Sequence, residues 1–463
     1  MSAPDAAPIE RLAAFAAGSG SLALDEVLVP RTQLLVLDTL GCAVLAAHLE
    51  PTEALLATLQ AGEPAGPSRL WFHDGGLSPA NAAMLNATAV HGFELDDITT
   101  SLGHYGSVTV PVALALADAG HLLSGAALLR AVVVGIEVGL RVNECVGGVP
   151  HLQLGFHGPS VFGTFAAAAT AGAVLGLSPA EMTHALCHAA QFTAGLMGAQ
   201  HGGMGKRLLP GRAAHSGILA AGLAAHGFTS TPALFARGYG SFPEAFSGGG
   251  EGYDLARLAE GLGSDLRAHK VNFKLWACRI PIHPSLEAIR QLRAATPFAA
   301  EEVERLEVAL TGGAFRSVGH PYRPDTVASA QLNLQYCVAM MLLEGDVFEQ
   351  QFRAERLRDP AVLDLAARVR VRHDPRLDDA ARDPITQPSL VEMTLADGRR
   401  LRGEGFLPGA TAPVPAEVVL AKFQRMCEAA LEKEHADELA ACCLDLEHAP
   451  DLRALSALLA PTR

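Results

Sequence analysis

From Cys145 to Ala180 the chain carries no Asp, Glu, Lys or Arg. A run that long without formal charge belongs inside a bilayer or inside a protein. Gly, Pro, His, Ser and Thr recur throughout it, so its mean hydropathy falls well short of a Leu-rich membrane span. The run therefore predicts a buried central helix, around which the rest of the chain must wrap. There is material to do so, since 49% of the residues are apolar and only 18% charged. Aromatics make up 5%, and alanine and glycine abound, which favours helices meeting closely through small side chains. At 463 residues the chain calls for two or three domains.

Residues 5–275 read as successive helices. "SPAEMTHALCHAAQ" (178–191) opens with Ser178, Pro179 and Glu181, a capping box with proline in the first helical position. The pattern changes near residue 280. "VERLEVALT" (303–311) and "ARVRVRHD" (367–374) alternate apolar with polar residues, and "LVEMTLADGRRLRGE" (390–404) predicts a hairpin turning at Asp397–Gly398. Helix returns at 326–344, then at 416–434 and 437–459. The expectation is a mainly α protein: a large all-helical domain over 1–278, a smaller α+β lid domain over 279–410, and C-terminal helices over 411–463 that return to the first domain.

A formal charge of −14 disfavours nucleic acid and anionic membrane as partners, but leaves room for a local basic pocket that takes an anionic substrate. The eight cysteines contain no C-x-x-C pair, which predicts reduced, buried thiols and a cytoplasmic location. Acidic residues near the N-terminus argue against an export signal. "MGKR" (204–207) is not a phosphate-binding loop, because Gln200 stands where its first glycine belongs. No G-x-G-x-x-G follows a predicted strand. His184 and His188 lack the intervening glutamate of a zinc-hydrolase helix and read as ordinary buried or partly buried histidines rather than metal ligands.

Four segments concentrate ionisable residues in apolar, glycine-rich surroundings. "HGFELDDITTSLGHYGSVTVP" (91–111) holds Glu94, Asp96, Asp97 and His104. If 86–97 is helical, Glu94 and Asp97 share a face while Asp96 points elsewhere. Paired carboxylates in a poorly solvated site raise one another's pKa and become usable acids or bases. "LGFHGPSVFGTF" (154–165) places His157 at the start of a helix, where its pKa falls. "GAQHGGMGKRLLPGRAAHSG" (198–217) sets His201, Lys206, Arg207 and Arg212 beside a glycine-rich loop suited to anions. "KVNFKLWACRIPIHPSLEAI" (270–289) embeds Lys274, Arg279 and His283 among aromatics, and Arg279 has the fork to hold a carboxylate. Acids, histidines and cations without a nucleotide motif fit proton abstraction next to a carboxylate.

In this order, "HGFELDDITTSLGHYGSVTVP", "GFHGPSVFGTFAAAATAGAVLGLS", "MGKRLLPGRAAHSGILAA" and "KLWACRIPIHPSLEAI" resemble the MmgE/PrpD family over nearly the whole chain. Its members include 2-methylcitrate dehydratase, cis-aconitate decarboxylase and iminodisuccinate epimerase. The resemblance implies a helical domain with an α+β lid, a homodimer, and neither metal nor organic cofactor. It implies an active-site cleft using the Glu94–Asp97 segment, His104, His157, Lys206 and Lys274, with a lid contribution from His320 or Tyr322 in "GHPYRPDT" (319–326). The chain departs from its relatives at Glu94, where others have Asp, at Ile98, where decarboxylase-type relatives have Thr, and at Tyr105, where Pro is common.

The combined expectation is a cofactor-independent lyase on a small di- or tricarboxylate, most simply a 2-methylcitrate dehydratase-like loss of water. His104, His157, Asp97, Lys206 and Lys274 are the expected catalytic residues. Glu94, Arg207, Arg279, Tyr322 and His320 are the expected substrate contacts. An epimerase of an iminodisuccinate-like dicarboxylate and a cis-aconitate-type decarboxylase share the same carbanion-like chemistry. A helical scaffold protein is the non-enzyme alternative, and it requires the four segments to lie far apart.

Overall fold

The computed structural model describes residues 7–99, 103–121, 123–148, 154–200, 202–248, 252–379 and 388–461. At its centre stands the helix Gly158–Leu175, in which every residue from Gly158 to Gly172 is buried. It packs against Gly106–Asp118, Gly125–Cys145, Pro179–Phe192 and Gly205–Ala225. Leu28–Ala46 and Gly158–Leu175 have the length and apolarity to cross a bilayer, but 78% and 83% of these stretches are buried within the protein. Small residues make the packing this close. A Cβ on Gly217 would sit 2.2 Å from the Cβ of Ala167, and one on Gly211 would meet the Met84 carbonyl. That is the use the chain makes of its alanine and glycine: backbones approach, and dispersion contacts replace large side chains.

The Ser178 capping box forms, with Ser178 Oγ accepting from the Glu181 amide and the Glu181 carboxylate accepting from the Ser178 amide. A two-residue hairpin, Ser68–Arg69 with Gly76–Leu77, interrupts the helical part. Beyond residue 300 a four-stranded mixed sheet forms in the order Val369–His373, Val303–Leu310, Ser389–Leu395, Arg400–Gly405. Its first pair is parallel and the other two antiparallel. Gly398 turns the hairpin with φ +86°. Helix His283–Ala295 lies on the last two strands, so close that a Cβ on Gly405 would strike the Pro284 carbonyl.

The helix expected over 326–344 is broken into Val327–Gln331 and Leu334–Glu344, where Asn333 caps the second piece. The last expected helix likewise divides into Lys433–Leu444 and Arg453–Leu458, with Pro450 between them. Ala416–Cys427 and Lys433–Leu444 pack on Leu28–Ala46. Lys422 on the first of these is buried and paired with Asp38 at 2.6 Å.

Candidate active site

Helix Pro79–Val90 is followed by one tight turn, His91–Phe93, and the chain then reverses at Glu94 with φ +59° and ψ +26°. A non-glycine residue in this left-handed region costs on the order of 1 kcal/mol. Distant side chains hold it there by taking the carbonyls a continuing helix would have used. Arg207 Nη1 donates to the His91 carbonyl (3.3 Å), Gln331 Nε2 to Phe93 (3.0 Å), Lys274 Nζ to Glu94 (3.1 Å) and Lys422 Nζ to Leu95 (2.7 Å).

The reversal redistributes the three acids. Glu94 turns into a cluster of cations, with Lys206 Nζ on its Oε1, Arg207 Nη1 2.7 Å from the same oxygen, and Lys274 Nζ 3.4 Å from Oε2. Asp96 meets two histidines, His91 Nδ1 at 2.7 Å and His104 Nδ1 at 3.5 Å, with Lys274 Nζ 3.8 Å from its other oxygen. Burial alone would raise the Asp96 pKa, but its interactions with His104 and His91, including the His91 hydrogen bond, and the charge of Lys274 outweigh it and keep this carboxylate ionised. Asp97 accepts from the backbone amides of Tyr105 and Gly106, both at 2.9 Å, and so caps helix Gly106–Asp118. Burial and the neighbouring Asp96 push its pKa up to about 8.

His104 and His157 are held neutral. Burial lowers His104 to about 3, against the pull of Asp96. Burial, then His91, His104 and Arg279, puts His157 well below its usual value. His104 Nδ1 faces the Asp97 carbonyl, which only accepts, so the proton resides on Nδ1 and Nε2 keeps its lone pair. His157 stands at the N-cap of the central helix, with Nδ1 2.6 Å from Ser160 Oγ. The rings of His104 and His157 lie 5.2 and 5.9 Å from that of His91.

These groups open onto a cavity of about 680 Å³. From the helical side it is lined by Glu94, His104, His157, Lys206, Lys274 and Arg279, and from the sheet side by Thr311, Gly312, Arg316, His373 and Asp378. Arg279 donates to Gln200 Oε1 at 2.6 Å, and burial lowers its pKa to about 10, so it remains charged at neutral pH. Burial likewise lowers Lys274. Lys206, Lys274, Arg279 and Arg316 thus line the cavity against the carboxylates Glu94, Asp378 and Asp379, with Arg207 buried behind it, and burial followed by the neighbouring cations lowers Lys206 well below its usual value. The excess positive charge in a poorly hydrated space suits a polyanion. One part of the wall is different: Ile98, Ile280 and Leu407 form an apolar cluster of their own.

The four segments converge, a geometry at odds with a scaffold of scattered loops. Several expected side chains nevertheless stand elsewhere. Asp97 is a helix cap rather than a partner of Glu94, because the helix ends at Val90 and the chain reverses at Glu94. Arg207 is buried behind the cavity, its guanidinium shared among Glu94, the His91 carbonyl and Gln331 Oε1 at 2.7 Å. Tyr322 donates its hydroxyl to the Leu357 carbonyl at 3.0 Å and packs its ring, tilted, against Tyr336, and His320 is exposed next to Asn333. Neither Tyr322 nor His320 lines the cavity. Arg212 is exposed, His283 Nε2 donates to the Cys278 carbonyl at 3.2 Å, and His201 lies outside the described residues.

Sequence reasoning missed His91 and Asp96, and on the sheet side of the cavity it missed His373 and Asp378, which pair at 2.5 Å. The alternation of "ARVRVRHD" marks a strand end at His373, the one signal that pointed there. His91, Asp96 and His104 bring three metal-ligand atoms within 4.8 Å of one another. Their atoms are engaged with each other and with Lys274, a cationic setting that opposes a divalent ion.

Residues 10–252 match the MmgE/PrpD N-terminal domain, and residues 276–446 match the MmgE/PrpD C-terminal domain. The chain is 29% identical to a cis-aconitate decarboxylase of Aspergillus terreus, with 95% of this chain and 94% of the relative covered. It is 28% identical to the cis-aconitate decarboxylase of Mus musculus (94% and 90% covered) and 27% identical to that of Homo sapiens (94% and 91%).

Proposed function

The chain belongs to the MmgE/PrpD family, and from that premise we propose that it is a cofactor-independent lyase that removes CO₂ from a small unsaturated tricarboxylate of the cis-aconitate type. The relatives' activity shifts the balance from the dehydratase expected first to the decarboxylase. The observation that carries the reading is the surplus of cations around two neutral histidines in one cavity.

In such a substrate the departing carboxylate sits on a methylene beside a carbon–carbon double bond. Its C–C bond breaks, and the released electron pair forms a new terminal double bond. The pair of the old double bond takes a proton at its far carbon. One CO₂ leaves and one proton enters. Lys206 and Arg279 hold the remaining carboxylates and stabilise the charge that spreads over them. Binding of a trianion raises the pKa of the histidines around it, so His104 Nε2 takes up a proton and delivers it to carbon. Asp96, 3.5 Å from Nδ1, steadies the imidazolium in between. His157 lies on the same cavity wall and orients the substrate. The eight free cysteines and the family resemblance support a cytoplasmic homodimer.

A second reading rests on Ile98, Ile280 and Leu407. A carboxylate gains nothing from an apolar wall, whereas an alkyl substituent does. This favours an alkyl-bearing tricarboxylate, as in the dehydration of 2-methylcitrate. Proton NMR in D₂O with cis-aconitate, 2-methylcitrate and iminodisuccinate separates these readings. Loss of CO₂ from cis-aconitate with one deuterium incorporated is the expected result. Deuterium exchange without loss of CO₂ or water on any of the three would sink the lyase reading. Ile98→Thr is expected to raise kcat/KM for cis-aconitate relative to the methylated substrate by roughly tenfold.

A further inference from the structure

A second histidine cluster lies away from the cavity. His48 follows helix Leu28–Ala46, Glu53 stands in the first turn of helix Glu50–Gly62, and His73 occupies the loop between Ser68–Arg69 and Gly76–Leu77. His73 Nδ1 is 3.0 Å from the Trp71 carbonyl oxygen, which only accepts. The neutral ring therefore carries its proton on Nδ1 and presents the Nε2 lone pair to its other neighbour. That neighbour is Glu53 Oε1, 3.3 Å away and itself a lone-pair donor. His48 Nδ1 lies 2.9 Å from the same oxygen, and the two imidazole centroids are 4.6 Å apart with the rings tilted by 52°.

Two lone pairs cannot face one another without a positive charge between them, which either a second imidazole proton or a metal ion supplies. An imidazole whose second nitrogen donates to a backbone carbonyl is oriented as metal-bound histidines are. A tetrahedral ion with bonds of about 2.0–2.1 Å holds its ligand atoms about 3.3 Å apart. The donor atoms here are 2.9 and 3.3 Å apart along two edges, and all three lie within 4.8 Å of one another. The loop is set rather than free, since Phe72 adopts φ +62° and its amide donates to the Leu459 carbonyl at 2.9 Å. The His73 side chain is 8% exposed, while those of His48 and Glu53 are 64% and 47% exposed, which leaves a fourth position open to water.

We propose that His48, Glu53 and His73 bind a divalent transition metal of the zinc class, with water as fourth ligand. The ion staples the corner at residues 48–53 to the hairpin loop, which Phe72 in turn ties to Leu459. None of the three residues lines the catalytic cavity, so the site is separate from the lyase chemistry.

The test is calorimetric titration of chelator-treated full-length protein with ZnCl₂, paired with the visible absorption of added Co²⁺. One equivalent bound per chain and a tetrahedral Co²⁺ spectrum are expected, along with a zinc-dependent rise in Tm. His73→Ala should weaken binding roughly 10–100-fold. His48→Ala, at an exposed position that the fold tolerates, should do the same and abolish the zinc effect on Tm. A titration with neither heat nor a Co²⁺ spectrum overturns the proposal. So does binding that survives both substitutions, which would assign the ion to other ligands such as His91 and His104.

Discussion

The molecule contains two networks of acids and bases, and they behave oppositely. On the sheet, Arg372 bonds Glu307 at 2.6 Å and Asp374 at 2.9 Å, while Arg376 reaches Asp374 at 2.6 Å from a largely exposed position. Water and salt screen these pairs, and the side chains lose rotamer freedom to form them. At the cavity, Glu94 is 3% exposed and carries Lys206, Arg207 and Lys274 together. There the desolvation of each ion is repaid only by its partners. The first network ornaments a surface, whereas the second stores unneutralised positive charge for a ligand to use.

Four measurements press on this contrast. His104→Ala is expected to lower kcat by roughly 10²–10⁴-fold with little change in Tm, because it removes the proton carrier and leaves the ion cluster whole. Retention of full activity would remove His104 from the chemistry. Glu94→Gln should cost about 3–5 kcal/mol in denaturant unfolding, since it removes the carboxylate that Lys206, Arg207 and Lys274 share and leaves only Asp96 beside Lys274. A loss below about 1 kcal/mol would place the cluster with the surface network.

Acid should separate the networks next. The folded-state pKa values of His91 and His104 are lowered to about 4 and about 3, by burial in both cases and against Asp96. Below pH 6.5 the unfolded chain takes up protons that these folded imidazoles refuse, so stability is complete above that pH and falls as pH drops toward 4. For His91 the loss approaches ~3 kcal/mol. Tm measured from pH 7.5 to 5 should therefore fall less steeply in His91→Gln than in the unmodified chain. Smallest of all, Arg372→Ala should change unfolding free energy by at most about 1 kcal/mol, and less in high salt.

Much of the site's chemistry was legible in the chain. His157 ahead of Gly158 and Pro159, Lys206 after a glycine loop and Arg279 among apolar residues each announce an unusual setting through local composition alone. The exchange between Asp96 and Asp97 was not legible. It turns on the reversal at Glu94, which is enforced by Arg207, Gln331, Lys274 and Lys422, residues more than 100 positions away. The segment 319–326 misled for a related reason. His320 and Tyr322 have the right residue types, but Asn333, Tyr336 and the Leu357 carbonyl hold them outside the cavity. His373 and Asp378 instead follow from where a strand happens to end.

The sequence by itself therefore determined the buried helix, the helical majority, the sheet region and the inventory of acids, histidines and cations. These rest on periodicity, capping and charge depletion, which act over a few residues. The tertiary structure alone decided which carboxylate meets the histidines, which guanidinium faces the substrate space and which wall is apolar. Each of those outcomes depends on backbone carbonyls and charges finding partners across the chain, and such pairing is settled only when the segments are packed together.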